Sequence, residues 1–301
     1  MPAIQKKGFS IGLVLFFIML FLPAPEGLSQ AGWMVAAVGV LMATWWGTEA
    51  LPVPVTALLP LALFPLLGVA DFKTTALPFS NPNIYLFLGG FILALGIENS
   101  GLHKRLALKM IIKVGTSGAR LVGGFMLVAA LLSMWVMNTS VTLMLLPIGL
   151  AVCGVVSSTI PDISPQEKKS FDNALLIGIA YAATIGGMST LIGTAPNIVF
   201  SAFMQETYGL TIGFIDWMKL GVPVAICMLF GAWYSLTKFI FPLNFTASLE
   251  TKLKLKTMLV ELGPMSKDES KVLIIFGLAA GSWIFRKALI QIDFLSGLTD
   301  A

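Results

Sequence analysis

Long apolar runs recur along this chain, separated by short polar connections, and their lengths match a bilayer. A helix of about 20 apolar residues crosses roughly 30 Å of hydrocarbon. On that measure the pattern predicts spans at 10–25, 32–48, 54–69, 83–100, 173–203, 217–240 and 271–292, with two shorter arms at 121–136 and 141–156. No stretch alternates apolar and polar residues over ten positions, as the strands of an outer-membrane barrel do. The expected fold class is therefore all-α, a polytopic helical bundle integral to a membrane. The first run follows Lys6-Lys7 and precedes Ser29-Gln30-Ala31, which has the form of a cleavage site, but it is read as the first membrane span.

Two places depart from plain spans. The arms at 121–136 and 141–156 hold about 16 residues each, roughly 24 Å of helix, and so fall short of a full crossing. They meet at Trp135-Val136-Met137-Asn138-Thr139-Ser140, a turn without charge and without the Asp, Lys or Gly of a water-exposed loop. Either two full spans or one re-entrant hairpin returns the chain to its starting face, and arm length favours the hairpin. The run 173–203 is long for one span. Gly186-Gly187 and the stretch from Gly193 to Pro196 interrupt it, and proline can neither donate a backbone bond nor leave its predecessor helical. A broken helix is expected, with carbonyls freed near 191–193 and a second half-helix starting near Asn197.

Composition agrees with this map. Of 301 residues, 57% are hydrophobic and only 11% charged, and the mean hydropathy is +0.90. The net charge of +4 does not indicate nucleic-acid binding, because the cations sit between spans. With a cytoplasmic N-terminus and an even number of crossings through 121–156, fifteen of the nineteen Lys and Arg residues fall on one side, all but Lys73, Lys219, Arg286 and Lys287. Cys153 and Cys227 lie apart in apolar surroundings and are read as small core residues. His103, the one histidine, has no triad partner and is read as a surface residue among Lys104, Arg105 and Lys109. No enzyme chemistry and no cofactor are expected.

The chemistry lies in two polar islands, Asn138-Thr139-Ser140 and Gly193-Thr194-Ala195-Pro196-Asn197. Uncharged amides, hydroxyls and freed backbone groups are costly at membrane depth unless buried in protein or bound to a solute. Sodium takes several oxygens, and Ser133, Asn138, carbonyls around Gly193 and the Asn197 side chain can supply them without a buried fixed charge. An anion takes the opposite polarity. Half-helices starting at the hairpin tip and after Pro196 aim N–H groups and positive dipole ends toward it, and Asn138 and Thr139 add side-chain donors.

These residues resemble the divalent anion:sodium symporter family. The resemblance is carried by Glu49-Ala50-Leu51-Pro52-Val53-Pro54-Val55-Thr56-Ala57-Leu58-Leu59-Pro60, by Leu86-Phe87-Leu88-Gly89-Gly90-Phe91, by Ile192-Gly193-Thr194-Ala195-Pro196-Asn197 and by Glu261-Leu262-Gly263-Pro264-Met265-Ser266. In that family a Ser-Asn-Thr motif at a re-entrant hairpin tip and a Gly-Thr-x-Pro-Asn-like loop in a broken helix build one sodium site and half the substrate site. The resemblance implies sodium ligands at Ser133, Asn138, Gly193 and Asn197, and substrate contacts at Asn138, Thr139 and Pro196. Met137 stands where the motif has serine.

The resemblance further implies the first half of an inverted-repeat transporter, an elevator-like movement of the transport region and a homodimer. The domains expected are N-terminal scaffold spans at 1–100, a cytoplasmic interfacial helix at 101–120 and a transport region at 121–240. A cytoplasmic linker at 241–270 and the first span of an incomplete second repeat at 271–301 follow. The expected function is secondary transport of a C4-dicarboxylate or related divalent anion, coupled to sodium, in a bacterial inner membrane with a cytoplasmic N-terminus. A sodium-independent dicarboxylate antiporter, a sulfate transporter and a truncated, transport-incompetent membrane fragment are the alternatives.

Overall fold

The computed structural model describes residues 2–115, 117–160, 163–246 and 249–297. Its regular structure there is helical, as the apolar pattern predicts, and it divides into two compact units, 1–81 and 82–301. Among the described residues five helical segments are long and apolar enough to cross a membrane: Ala3–Phe21, Gln30–Thr48, Asn138–Thr159, Phe214–Ile240 and Lys267–Leu289.

In the first unit α1 (Ala3–Phe21) and α2 (Gln30–Thr48) pair along their length. Trp45 stacks on Phe9 with ring centroids 4.9 Å apart, and its indole N–H donates to the Phe9 carbonyl at 3.2 Å. The expected span at 54–69 is instead two short helices, α3 (Val53–Ala57) and α4 (Leu59–Leu66). Pro60 is the cause. Its ring excludes the carbonyl of Thr56 and it has no N–H to return, so one continuous helix cannot run through Leu58. Asp71 caps the short α5 (Phe72–Ala76) by accepting from Thr74 N–H at 2.7 Å.

The second unit begins with α6 (Pro82–Ser100). The boundary between compact units thus falls at Asn81/Pro82, ahead of the expected 100, because α6 packs on helices that follow it. Next come α7 (Leu102–Val114), α8 (Gly118–Ser133) and α9 (Asn138–Thr159). The core is built from α8, α9 and α10 (Pro165–Gly187), with α7 against it. Phe125, Phe171, Leu121, Leu145, Leu175 and Ile111 are fully buried there. Residues 188–194 interrupt the chain before α11 (Ala195–Tyr208). After it, α12 (Phe214–Tyr234) runs into a π-helical turn, Ser235–Ile240. Last are α13 (Leu249–Glu261) and α14 (Lys267–Leu289). Residues 298–301, the end of the expected final span, lie outside the described residues.

Several expectations change here. The arms of 121–136 and 141–156 are unequal: α8 has 16 residues, about 24 Å, but α9 has 22, about 33 Å. Their outer ends nevertheless return to one segment. Gly118 N–H donates to Phe245 O at 3.1 Å beside an isolated Ser117–Thr246 bridge. The hydroxyls of Thr159 and Thr251 lie 2.7 Å apart. Residues 241–270 are therefore not a loose linker, since α13 closes the base of the α8–α9 pair and packs on α7 and α9.

Nor is 101–120 one helix with its basic residues at the surface. His103 and Arg105 are buried. The Arg105 guanidinium meets Glu269 at 2.8 and 3.1 Å and also donates to the carbonyls of Leu262, Gly263 and Pro264. Gly263, at φ +66°, lets the chain turn so that three successive carbonyls face one side chain. Cys153 is buried as expected, whereas Cys227 is exposed on α12.

Candidate functional site

Both polar islands come to rest on Gly187, the last residue of α10. From the hairpin tip, the Ser133 hydroxyl donates to Asn138 Oδ1 at 2.7 Å. That Oδ1 lies so close over Gly187 that a Cβ there would overlap it. From the break, Asn197 Nδ2 donates to Gly187 O at 3.0 Å and to Thr190 O at 2.7 Å. Both partners are carbonyls, which fixes the amide's orientation. Gly193 lies against the Gly187 carbonyl, again with no room for a Cβ. Gly186 lets α10 approach the backbone of Ala130 in α8 just as closely. The Gly-Gly pair thus leaves room for α10 to come down onto the tip.

The four residues named as sodium ligands therefore gather in one place. Ser133, Gly193 and Asn197 are buried and Asn138 is half-buried. The other two substrate candidates, Thr139 and Pro196, are exposed, as is Met137. The freed carbonyls are those of Gly187 and Thr190, which bind Asn197, and of Met188, which accepts Trp217 Nε1–H at 2.9 Å. These three already have donors, and they precede the expected 191–193, where the Leu191 and Ile192 side chains pack among Leu86, Ile198 and Phe214.

Two helices start at this point, and neither has a side-chain cap. Met137 cannot cap α9, and the Thr194 hydroxyl does not cap α11. By contrast Ser117, Ser164 and Ser266 cap α8, α10 and α14 with side-chain oxygens. In α9 the first backbone bond runs from Val141 N–H to Met137 O at 3.0 Å, ahead of which lie the N–H groups of Asn138, Thr139 and Ser140. In α11 the corresponding donor is Ala195, since Pro196 has no N–H and Asn197 N–H turns back to Thr194 O at 3.2 Å. The second island thus starts a half-helix two residues before the expected Asn197.

An aromatic cluster fixes the tip from outside. Trp135 stacks on Phe214 and Trp283, with centroids 5.8 and 6.2 Å away, and meets Phe276 edge-on at 5.2 Å. Trp135 and Thr190 have no role in the sequence pattern, and Gly187 enters it only as a helix breaker. The one available signal was the spacing of Thr190 three residues before Gly193, the reach of a hydroxyl to a turn N–H.

The arrangement offers two chemistries side by side. The uncharged oxygens of buried Ser133 and Gly187 and of half-buried Asn138 suit a hard monovalent cation, and the donors at the starts of α9 and α11 suit an anion.

Comparison with known proteins bears on the whole chain. A family model described as the sodium:sulfate symporter transmembrane region matches residues 5–296. A sodium-dependent dicarboxylate transporter SdcS of Staphylococcus saprophyticus is 40% identical over 288 residues, 95% of this chain and 56% of its own length. A protein of the same name in Staphylococcus aureus is 37% identical over 290 residues, 95% of this chain and 55% of its own. The chain spans about half the length of the relatives it matches. On this extent of match, together with apolar helices of spanning length, the chain belongs to the divalent anion:sodium symporter family and is a multi-pass integral membrane protein.

Proposed function

We propose that the chain takes part in sodium-coupled transport of C4-dicarboxylates across a bacterial inner membrane, supplying one ion site and the adjoining part of the anion site. The observation that carries this reading is the meeting of both polar islands on Gly187. Sodium is held by Ser133, Asn138, Gly193 and Asn197. One carboxylate of the substrate is held by Asn138, Thr139 and the N–H groups at the start of α9, with Pro196 shaping the wall opposite. The names of the relatives, sodium-dependent dicarboxylate transporters, agree with this choice of ion and anion.

Coupling follows from the adjacency. Two unit charges about 4 Å apart attract by about 4 kcal/mol at an effective dielectric near 20, so each solute lowers the cost of placing the other. Because the site carries no fixed charge of its own, the sodium ion is what makes a dianion tolerable there. In vesicles from cells producing the protein, succinate uptake is expected to require sodium and to collapse in Asn138→Ala and Thr139→Ala. Normal uptake in both variants would remove the reading.

Met137 favours a second reading, since a thioether replaces a motif hydroxyl beside Asn138 and thioethers bind sodium poorly. In that case the protein exchanges two dicarboxylates without sodium. Vesicles preloaded with succinate and assayed without sodium distinguish the two: exchange at the full rate selects the second.

A further inference from the structure

Thr190 lies between the two islands and belongs to neither. Its side chain is fully buried. Its hydroxyl donates to the Met134 carbonyl at the hairpin tip and accepts Gly193 N–H at 3.1 Å, and its own carbonyl accepts Asn197 Nδ2 at 2.7 Å. A hydroxyl has one proton and two lone pairs, and here the proton goes to the hairpin turn ahead of the first island and a lone pair to the second island. Among the described residues this is the one side-chain hydrogen bond that joins residues 118–159 to residues 188–197.

The geometry points to Thr190 as the positioning residue that sets the distance between the hairpin tip and the broken-helix loop, and so holds the cation oxygens of both islands in one cage. This rests on the proposed sodium site and deepens it. The close approaches at Gly186 and Gly187 permit contact but do not enforce it, because van der Waals contact resists compression far more than separation. A hydrogen bond through a buried hydroxyl supplies the missing restraint. Without that hydroxyl, the Met134 carbonyl and the buried Gly193 N–H both lose a partner, and each gains by moving toward another.

The test is a sodium titration of the purified 301-residue protein at constant ionic strength, with potassium as the balancing cation, read by tryptophan emission. Trp135 adjoins Met134 and Trp217 binds Met188, so both report on the site. Wild type is expected to respond saturably, and Asn138→Ala to lose the response. Thr190→Val, which keeps the shape and removes the hydroxyl, is expected to need roughly tenfold more sodium, as for loss of one buried hydrogen bond. Thr190→Ser keeps the hydroxyl and is expected to stay within about twofold of wild type.

A purely structural threonine would lower the melting temperature of Thr190→Val without moving the sodium midpoint. That outcome, with Asn138→Ala still silent, overturns the positioning role and leaves the ion site standing. A serine variant that needs about tenfold more sodium than wild type also overturns it, because the hydroxyl is then not the cause, and this arm is read against wild type whether or not Thr190→Val folds. A wild-type protein that ignores sodium overturns the ion site and this inference together.

Discussion

At the scale of single residues, side chains far apart in the chain meet on buried backbone and on each other. Asn138 and Asn197 stand out because amides are conspicuous in apolar surroundings, and both reach Gly187. Arg105 looks like an interfacial cation because its partner, Glu269, is 164 positions away. His103 looks exposed because it stands among Lys104, Arg105 and Lys109, although the residue is only 4% exposed and its Nδ1 lies 3.1 Å from the Ile97 carbonyl. Burial pulls the His103 pKa below 6.5, with neighbouring Lys104 acting in the same direction and Glu98 and the Ile97 carbonyl opposing.

The sign of the consequence is fixed. The unfolded chain takes up a proton near pH 6.5 while the folded chain resists, so the contribution to stability is complete above that value and drains away as pH falls below it. Thermal unfolding in detergent between pH 7.5 and 5 should show this loss, and His103→Gln should flatten it. An unchanged slope in the variant would assign the acid sensitivity elsewhere.

At the scale of elements, spans were legible wherever proline and distant partners did not intervene. The broken helix at 173–203 could be read from Gly186-Gly187 and Pro196, and the structure interrupts the chain at 188–194. The same rule applied to Pro60 would have divided 54–69 into α3 and α4. The charges of 241–270 suggest a linker, yet α13 packs on α7 and α9, and the following turn grips Arg105. Ser266 and Glu269 form a reciprocal cap at the start of α14, with Glu269 Oε2 accepting Ser266 N–H at 2.7 Å. One carboxylate therefore caps a helix and neutralises a buried cation from another.

Arg105→Ala leaves Glu269 buried without its partner, at 6% side-chain exposure. Loss of one member of such a pair costs about 3–5 kcal/mol, and Arg105→Lys should recover only part of it, because an ammonium cannot match the planar fork. Unfolding of the purified protein in detergent checks both, and a variant as stable as wild type would show that the clamp contributes nothing net.

At the scale of the whole molecule, the question that decides the mechanism is where the α8–α9 turn lies relative to the bilayer. Two facts bear on it. The outer ends of both helices meet the same segment, through Phe245 and Thr251, so they lie at one end of their unit. The turn between them is held by Trp135 against Phe214, Phe276 and Trp283 and by Thr190 from the broken helix, with no charged residue in 133–140. α8, at about 24 Å, is too short to cross a hydrocarbon layer of roughly 30 Å, but α9 is long enough, so length alone no longer chooses between a re-entrant hairpin and two crossings.

Chemical labelling chooses. In a background with Cys153→Ala and Cys227→Ala, single cysteines at Arg120, Ser158 and Met137 report the two ends and the turn. A bulky membrane-impermeant maleimide, too large to follow a dicarboxylate inward, should label Arg120→Cys and Ser158→Cys from the same face. On the distribution of lysine and arginine, that face is expected to be the cytoplasmic one. A re-entrant turn leaves Met137→Cys unlabelled by the bulky reagent from either face, while a small thiosulfonate reaches it at a rate that sodium and succinate lower. Labelling of Met137→Cys by the bulky reagent from the opposite face would make α8 and α9 two crossings, moving both polar islands to the water boundary. Sodium there would be bound by water as readily as by protein.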